Sequence, residues 1–357
     1  MRTEHALHVG DARDLALPDG SVDLVVTSPP YPMIEMWDGA FASLDPEIDA
    51  ALDAGEGERA FELMHGVLDS VWDELDRVLR EGGIACVNVG DATRTVENTF
   101  QTYPNHVRVT EAFRERGFVS LPGILWRKPA NSAAKFMGSG MVPTNAYPTL
   151  EHEHVLVFRK GGPRRFEPHS EARYESAYFW EERNRWFSDL WSDIRGIDQR
   201  LDGEARERSG AFPFELPYRL INMFSIYGDT VCDPFWGTGT TTLAAMVAGR
   251  HSVGYELDPE LVEAFSERLA DLPAFSRAVI EKRLAAHEAF VERVGAEELG
   301  YDAAHYDFPV RTKQERNVRF YAVEGVEESD AGYEVVYRPV EAGRRENGGQ
   351  RFSSGSS

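Results

Sequence analysis

Short, nearly continuous apolar runs alternate along this chain with longer stretches whose apolar positions recur at helical spacing. Residues 22–27 form an apolar run that leads directly into polar residues, as expected for a strand buried on both faces of a parallel sheet. From residue 59 to residue 79 the apolar positions fall three and four apart, and Gly82 and Gly83 are predicted to end this helix before a strand at 84–89. The alternation predicts an α/β fold with a parallel sheet.

The same rhythm continues through most of the chain. Further strands are predicted at 5–9, 123–126, 154–158, 230–232 and 252–255, further helices at 107–116, 216–224, after 241 up to 248 and at 259–295, and a β-hairpin at 317–323 with 333–337. Residues 38–58 are acidic and are predicted to be a surface excursion, whereas 163–210 lack clean periodicity. The tail at 342–357 is rich in Gly and Ser and is predicted to be disordered.

A glycine-containing loop, Asp-Pro-Phe-Trp-Gly-Thr-Gly-Thr-Thr at 233–241, follows one predicted strand and opens a helix. Glycines let a backbone approach a ligand closely, and a helix N-terminus offers free N–H groups to a carboxylate. Glu256 lies about 20 residues further on, at the end of the next strand, where nucleoside ribose hydroxyls are held. Asp258 is the alternative, although Asp258-Pro259 is more typical of a helix cap. The loop lacks the third glycine of a dinucleotide site, so NAD is a less suitable ligand.

A second motif, Thr-Ser-Pro-Pro-Tyr at 27–31, ends the first buried strand. The Ser28 side chain and the Pro29 carbonyl can accept the two hydrogens of an amino group, and the prolines fix the backbone that carries them. Tyr31 offers a ring on which a base can stack. Alone, the motif could also be a plain strand end with a Pro-Pro turn.

The two motifs in this order resemble the β group of S-adenosylmethionine (AdoMet)-dependent amino-methyltransferases of DNA, over roughly residues 5–260. The resemblance implies a Rossmann-like AdoMet-dependent methyltransferase fold that is circularly permuted, with the catalytic motif before the cofactor loop. It implies S-adenosyl-L-methionine as cofactor, double-stranded DNA as substrate, and Ser28, Pro29, Pro30 and Tyr31 as catalytic residues. Ser preceded by Thr is most similar to cytosine-N4 enzymes, since Asp is typical of many adenine-N6 enzymes and Asn of glutamine and some RNA enzymes.

The resemblance also implies which residues bind the cofactor and the DNA. The cofactor residues are Asp11, Phe212, Asp233, Pro234, Phe235, Gly237, Gly239, Thr240, Thr241 and Glu256. Trp126-Arg127-Lys128 is similar to a tryptophan-lysine element near the flipped base, and arginines interleaved with aromatic residues at 163–210 predict a target-recognition region together with the loop at 130–150. The DNA-binding residues predicted are Trp126, Arg127, Lys128, Lys135, Arg164, Arg165, Arg183 and Arg185. For each of these, a structural or solvated role is the alternative.

The formal net charge of −22 is unusual for a DNA-binding protein, and only five of the 38 cationic residues are lysines. This composition is typical of proteins from a salt-rich cytoplasm, where screening limits self-repulsion, although an ordinary acidic protein is the alternative. Positive charge is concentrated at 101–173, where 11 Lys and Arg stand against 6 acids. We expect a DNA-facing segment there.

Several function classes are excluded or disfavoured. Cys86 and Cys232 lie in apolar strand-like runs and not in a Pro-Cys pair, which excludes cytosine-C5 methylation and fits a cytoplasmic protein with buried thiols. We predict no metal site, no signal peptide, no membrane span and no fused nuclease. A separate restriction endonuclease or none, and a homodimer, remain open. The other candidate activities are adenine-N6 methylation, RNA methylation and non-catalytic AdoMet sensing by a DNA-binding protein.

The domain organisation follows from these assignments. The predicted parts are a catalytic half at 1–128, a target-recognition region at 129–210 with a sheet strand near 153–159, an AdoMet-binding half at 211–295, a β-hairpin extension at 296–341 and the tail at 342–357. Within the match, the run Trp-Phe-Ser-Asp-Leu-Trp at 186–191 and the segment 212–224 are similar to an archaeal type that modifies CTAG.

Overall fold

A single mixed sheet of ten strands organises the computed structural model, which describes residues 1–128, 137–194 and 212–341. The strands are β1 (Arg2–Val9), β2 (Val22–Thr27), β3 (Leu79–Val89), β4 (Ala92–Val96), β5 (Thr99–Tyr103), β6 (Val119–Arg127), β7 (Met137–Gly138), β8 (Ala146–Tyr147), β9 (His152–Arg159), β10 (Leu190–Trp191), β11 (Thr230–Asp233), β12 (His251–Glu256), β13 (Tyr301–Asp302), β14 (Pro309–Val310), β15 (Tyr321–Ser329) and β16 (Gly332–Pro339). The helices are α1 (Asp38–Leu44), α2 (Glu47–Asp53), α3 (Gly57–Val78), α4 (Asn105–Glu115), α5 (Glu171–Glu175), α6 (Trp180–Trp186), α7 (Glu215–Phe224), α8 (Thr240–Ala248), α9 (Pro259–Ala264) and α10 (Leu272–Val294).

The sheet runs in the order β10-β6-β9-β3-β2-β11-β12-β1-β16-β15. Its five central strands, from β3 to β1, are all parallel, whereas β9 is antiparallel to β3 and β6, and β16 is antiparallel to β1. The predicted α/β fold with a parallel centre is confirmed.

Helices cover both faces of the sheet, so the central strands feed two cores. Successive side chains of a strand point to opposite faces. Val25 accordingly packs on the α3 side with Trp72, whereas Leu24 and Val26 pack with residues of α7 and α8. This explains why β2 is apolar without interruption. In the described part of the chain, no helix is long and apolar enough to cross a membrane.

The acidic stretch at 38–58 is the first place where the sequence prediction is wrong. It forms α1, α2 and the start of α3, and Phe41, Ile48 and Ala51 are buried against α3. Asp and Glu alternate with these apolar residues, so the composition is acidic although one face is packed. The helix α3 also ends at Val78, before the two glycines. Gly82 lies within β3 with a positive φ of 79°, where a Cβ would collide with the backbone of Arg164.

The C-terminal part differs from the prediction in two ways. The helix expected at 259–295 is interrupted by a 3-10 turn at Phe265–Leu269, and Pro273 lies in the first turn of α10. The hairpin of β15 and β16 continues the main sheet, because β16 pairs with β1 over Arg2 to Ala6. The hydroxyl of Tyr337 adds a buried hydrogen bond with Thr3 and donates to the Met246 carbonyl. Physically, the hairpin completes the edge that β1 would otherwise expose.

Arg164 anchors the segment after β9 to the amino edge of the parallel strands. Its guanidinium donates to both carboxylate oxygens of Asp229, at 2.6 and 2.9 Å, and lies 3.3 Å from Asp23. Asp229 is 4% exposed. Burial lowers the pKa of Arg164, but the carboxylates of Asp229 and Asp23 outweigh it and raise the pKa above its ordinary value. Removing one partner of such a pair leaves an uncompensated charge.

Arg164→Ala is therefore expected to lower the free energy of unfolding by about 2–4 kcal/mol, because Asp229 loses its bidentate partner. The neighbouring Arg165 is exposed and makes no ion pair within the described residues, so Arg165→Ala should change stability by less than about 0.5 kcal/mol. Chemical denaturation of both variants checks this. Equal stability of the two would contradict the structural role of Arg164.

Asp233 is a buried carboxylate whose negative charge lowers the free energy of unfolding. It is 3% exposed, and burial raises its pKa to about 6. A carboxyl with a raised pKa binds its proton more tightly in the folded state, so its cost is absent below the unfolded pKa near 4 and complete above pH 6.

Asp233→Asn should thus stabilise the ligand-free chain by about 1–3 kcal/mol at pH 8 and by little at pH 4. An asparagine can still accept from Thr27, which now donates to Asp233 over 2.6 Å. Denaturation curves at both pH values test this, with exposed Asp53→Asn as the matched control. A stability difference that does not grow with pH would refute the assignment.

Candidate active site

The two sequence motifs lie side by side at the carboxyl edge of the parallel strands. Strand β2 ends at Thr27, immediately before Ser28, and β11 ends at Asp233. The strands pair in parallel, with Cys232 opposite Val25. The hydroxyl of Thr27 donates to Asp233 over 2.6 Å, and both residues are buried. Motifs that are 206 positions apart in sequence therefore begin at one point in space.

A cavity of about 470 Å³ opens above this point. Most of the site residues predicted from the sequence line it: Asp11, Ser28, Pro29, Pro30, Tyr31, Lys128, Phe212, Asp233, Pro234, Phe235, Gly237, Thr240, Thr241 and Glu256. Its remaining walls include apolar side chains of α1 and α3, such as Phe41 and Leu68. The structure thus brings together the predicted catalytic motif and the predicted cofactor loop.

The glycine loop is shaped by positions that exclude side chains. Gly237 and Gly239 both have positive φ, and a Cβ on Gly239 would collide with Trp236 and Phe265. Gly239 does not line the cavity but caps the N-terminus of α8, whose first residues, Thr240 and Thr241, do line it. The loop therefore presents backbone N–H groups and the positive end of a helix, which suits a carboxylate.

Two carboxylates flank the loop. Glu256 accepts from the amide of Gly237 at 2.7 Å and from that of Asp258 at 3.0 Å, and burial raises its pKa. Asp11 accepts from the guanidinium of Arg13, and this hydrogen bond lowers the pKa of Asp11. Each carboxylate has further acceptor capacity. Asp258 caps α9 by accepting from the amide of Glu260, as its sequence context predicts.

Tyr31 lies at the centre of a polar network that the sequence analysis did not identify. Its hydroxyl is 3.0 Å from the Ser28 hydroxyl, donates to Glu153 over 3.1 Å and accepts from Asn88 at 2.9 Å. Burial, and then the charge of Glu153, raise the pKa of Tyr31 well above its usual range. The ammonium of Lys128 donates to the other oxygen of Glu153. The alternation of β9 places Glu153 on a buried side between two exposed or half-buried histidines, and this was the available signal.

The predicted DNA-binding residues that the structure describes lie in three different places. Lys128 lines the cavity, and the ring of Trp126 lies beneath its ammonium, 4.8 Å from the ring centroid, although the Trp126 side chain is itself buried. Arg127 is exposed and pairs with Glu151. By contrast, the ion pairs of Arg164 place it, with Arg165, at the opposite edge of the sheet.

Arg183 and Arg185 lie on α6. Arg183 is exposed beside the ring of Phe187, and Arg185 contacts Asp193 and Glu215. Arg185 lines a larger cleft that shares Phe212 and Thr240 with the cavity. Lys135, and the arginines at 195 and 200, lie outside the described residues.

Asp91, His106 and His154 bring three possible metal ligands within 4.8 Å of one another. The two imidazole rings are stacked, with centroids 4.1 Å apart and planes 9° apart, and His106 hydrogen-bonds to Asp91. The nitrogen lone pairs of stacked rings lie in parallel planes and cannot meet at one ion. We assign no metal to this cluster.

Comparisons with known proteins agree with this geometry. A model of the DNA methylase family N6_N4_Mtase matches residues 22–267. The chain is 49% identical over 326 residues to the Type II methyltransferase M.MthZI of Methanothermobacter thermautotrophicus, covering 90% of this chain and 91% of that protein. It is 50% identical over 281 residues to the Type II methyltransferase M.MjaI of Methanocaldococcus jannaschii, covering 75% and 92%.

Among solved structures, that of a putative DNA modification methylase from Thermus thermophilus, TTHA0409, complexed with S-adenosyl-L-methionine, is similar with a TM-score of 0.58. The two sequences are 34% identical, and the match covers 74% of this chain and 93% of that one. The matched family segment contains both motifs and the strands that precede them, β2 and β11. The chain is therefore a member of the N6/N4 DNA methylase family.

Proposed function

We propose that the chain transfers a methyl group from AdoMet to the exocyclic N4 amino group of cytosine within a short target in duplex DNA. The observation that carries this proposal is the single cavity that joins the Ser28–Tyr31 motif to the glycine loop. A donor bound on the loop and an amino group bound at Ser28 would share one cavity. Sharing one cavity sets the reacting atoms at close range.

The cavity residues fit AdoMet. The N-terminus of α8 suits the methionine carboxylate, Glu256 suits the ribose hydroxyls, and Asp11 can accept from the adenine amino group. Phe235 and Phe212 add apolar walls for the adenine ring. When bound, AdoMet supplies a methyl group activated by its positively charged sulfur.

The amino nitrogen of cytosine is a poor nucleophile because its lone pair is delocalised into the ring. Ser28 and the Pro29 carbonyl would accept its two hydrogens and favour a more tetrahedral nitrogen. The nitrogen then forms a bond to the methyl carbon, the carbon–sulfur bond breaks with its electron pair left on sulfur, and the nitrogen releases a proton to solvent. No covalent base adduct is required, and both cysteine thiols are buried in strands where burial raises their pKa.

The preference for cytosine N4 rests on the Thr-Ser pair at 27–28, with adenine N6 as the second candidate. Thr27 is committed to Asp233, so Ser28 is the motif hydroxyl that faces the cavity. The target base would leave the duplex and stack on Tyr31 while Lys128 lies beside it. The permuted assignment and the CTAG target belong to this proposal as well, because both derive from the resemblance of the same motifs.

Methyl transfer from radiolabelled AdoMet to unmodified duplex DNA, followed by nucleoside mass analysis, is expected to yield N4-methylcytosine. Ser28→Ala should lower the rate by at least about 100-fold, because it removes an acceptor placed for the transition state. Exposed Ser43→Ala on α1 is the matched control and should retain the rate. N6-methyladenine as product would replace cytosine by adenine, and no incorporation into any DNA would refute the proposal.

We also propose that this chain works in a salt-rich cytoplasm, given its net charge of −22 and its five lysines. Screening reduces the mutual repulsion of exposed carboxylates, so the melting temperature should rise by several degrees between about 0.1 and 2 M KCl. Sucrose at equal osmolality controls for general solute exclusion. A melting temperature that responds equally to sucrose and KCl would argue for an ordinary acidic protein.

A further inference from the structure

Glu153 is a buried carboxylate whose partners are all held by the catalytic edge of the sheet. It is the second residue of β9, which lies between β3 and β6, and it is 8% exposed. One oxygen accepts from Lys128. The other accepts from the Tyr31 hydroxyl at 3.1 Å and from the Asn88 amide at 2.7 Å. Neither Glu153 nor Asn88 belongs to the two motifs that define the site.

The direction of the hydrogen bonds in this network follows from counting donors. A carboxylate can only accept, so the single hydroxyl hydrogen of Tyr31 goes to Glu153. The amide of Asn88 donates to the Tyr31 oxygen at 2.9 Å. The Ser28 hydroxyl, 3.0 Å from the same oxygen, must therefore donate its own hydrogen to Tyr31. The free lone pairs of Ser28 are then available toward the cavity.

We propose that Glu153 is a positioning residue that makes Ser28 a hydrogen-bond acceptor, by taking the hydroxyl hydrogen of Tyr31. This inference rests on the proposed role of Ser28 toward an amino group. An amino group presents hydrogens, so the serine must meet it with lone pairs and not with its own hydrogen. With the opposite polarity, the Ser28 hydroxyl would receive the Tyr31 hydrogen and would have one lone pair fewer for the substrate.

Lys128 fixes the orientation that the amide of a glutamine at position 153 would take. The ammonium of Lys128 needs an acceptor, so the amide oxygen of Glu153→Gln would face Lys128 and the amide nitrogen would face Tyr31. Tyr31 and Asn88 would then both lose the acceptor that residue 153 now offers them. A change of one atom, with almost no change in shape, thus removes the acceptor that fixes Ser28 as a donor to Tyr31.

The test is a double-mutant cycle on the full chain with Glu153→Gln, Tyr31→Phe and the double variant. Single-turnover methyl transfer to duplex DNA and the Kd for AdoMet are measured for each. Glu153→Gln should slow transfer roughly 10- to 100-fold, as expected for a lost charge-assisted hydrogen bond, and leave the Kd for AdoMet within about twofold. In the Tyr31→Phe background the same change should cost less than about threefold, because the phenol that transmits it is gone.

Two results would overturn the proposal. An equal loss in the Tyr31→Phe background would show that Glu153 does not act through the phenol. A parallel loss of AdoMet affinity would show that it supports the cavity as a whole. Exposed Glu151→Gln, two residues away and paired with Arg127, is the matched control and should keep the wild-type rate.

Stability and product analysis separate the remaining outcomes. If Glu153→Gln melts too early to assay, Tyr31→Phe alone decides, since it keeps the ring but removes the hydrogen-bond relay; a wild-type transfer rate in that variant would refute the proposal. A wild-type chain that methylates DNA while Glu153→Gln is equally active would refute this inference and leave the proposed function intact. A wild-type chain that methylates no DNA would refute the proposed function itself.

Discussion

The parallel pairing of β2 with β11, closed by the buried hydrogen bond from Thr27 to Asp233, is the constraint on which the site depends. It places the ends of two strands from distant parts of the chain within a few ångströms. The Pro-Pro turn follows one of these strand ends and the glycine loop follows the other. Both therefore project from the same edge of the sheet. The cavity exists because α1 and α3 roof this edge with apolar side chains.

This pairing has an energetic cost, because it buries the carboxylate of Asp233 at the strand end. A carboxylate at 3% exposure is unfavourable unless its oxygens are fully bonded, and Asp233 receives bonds from Thr27 and from the amide of Phe235. Asn88 Oδ1 has no partner in the described structure, although it is buried. Active sites commonly keep such costs, because polar groups must be fixed before the substrate arrives. The apolar cores on the two faces of the sheet offset them.

The sequence predicted the features that depend on local pattern. Strands β2 and β11, the glycine loop and the Pro-Pro motif could each be identified from consecutive residues, and their positions were confirmed. The alternation of β9 could indicate only that Glu153 is a polar residue on a buried side. Its role depends on β9 lying antiparallel between β3 and β6, and no pattern in the sequence states that neighbourhood. The pairing of the C-terminal hairpin with β1 is likewise a contact between chain ends that periodicity does not encode.

Charge was the least reliable guide, and the reason is physical. Arg164, which the sequence assigns to DNA binding, is ion-paired in the structure with Asp229, 65 residues away. In a chain with 60 acids and 38 Lys and Arg, most cations will find such a partner. Lys128 does line the cavity, and it is also ion-paired. Its partner, Glu153, accepts a hydrogen bond from Tyr31 as well. The ammonium of Lys128 offsets the charge of Glu153, so the carboxylate that accepts from Tyr31 is buried without being an uncompensated charge.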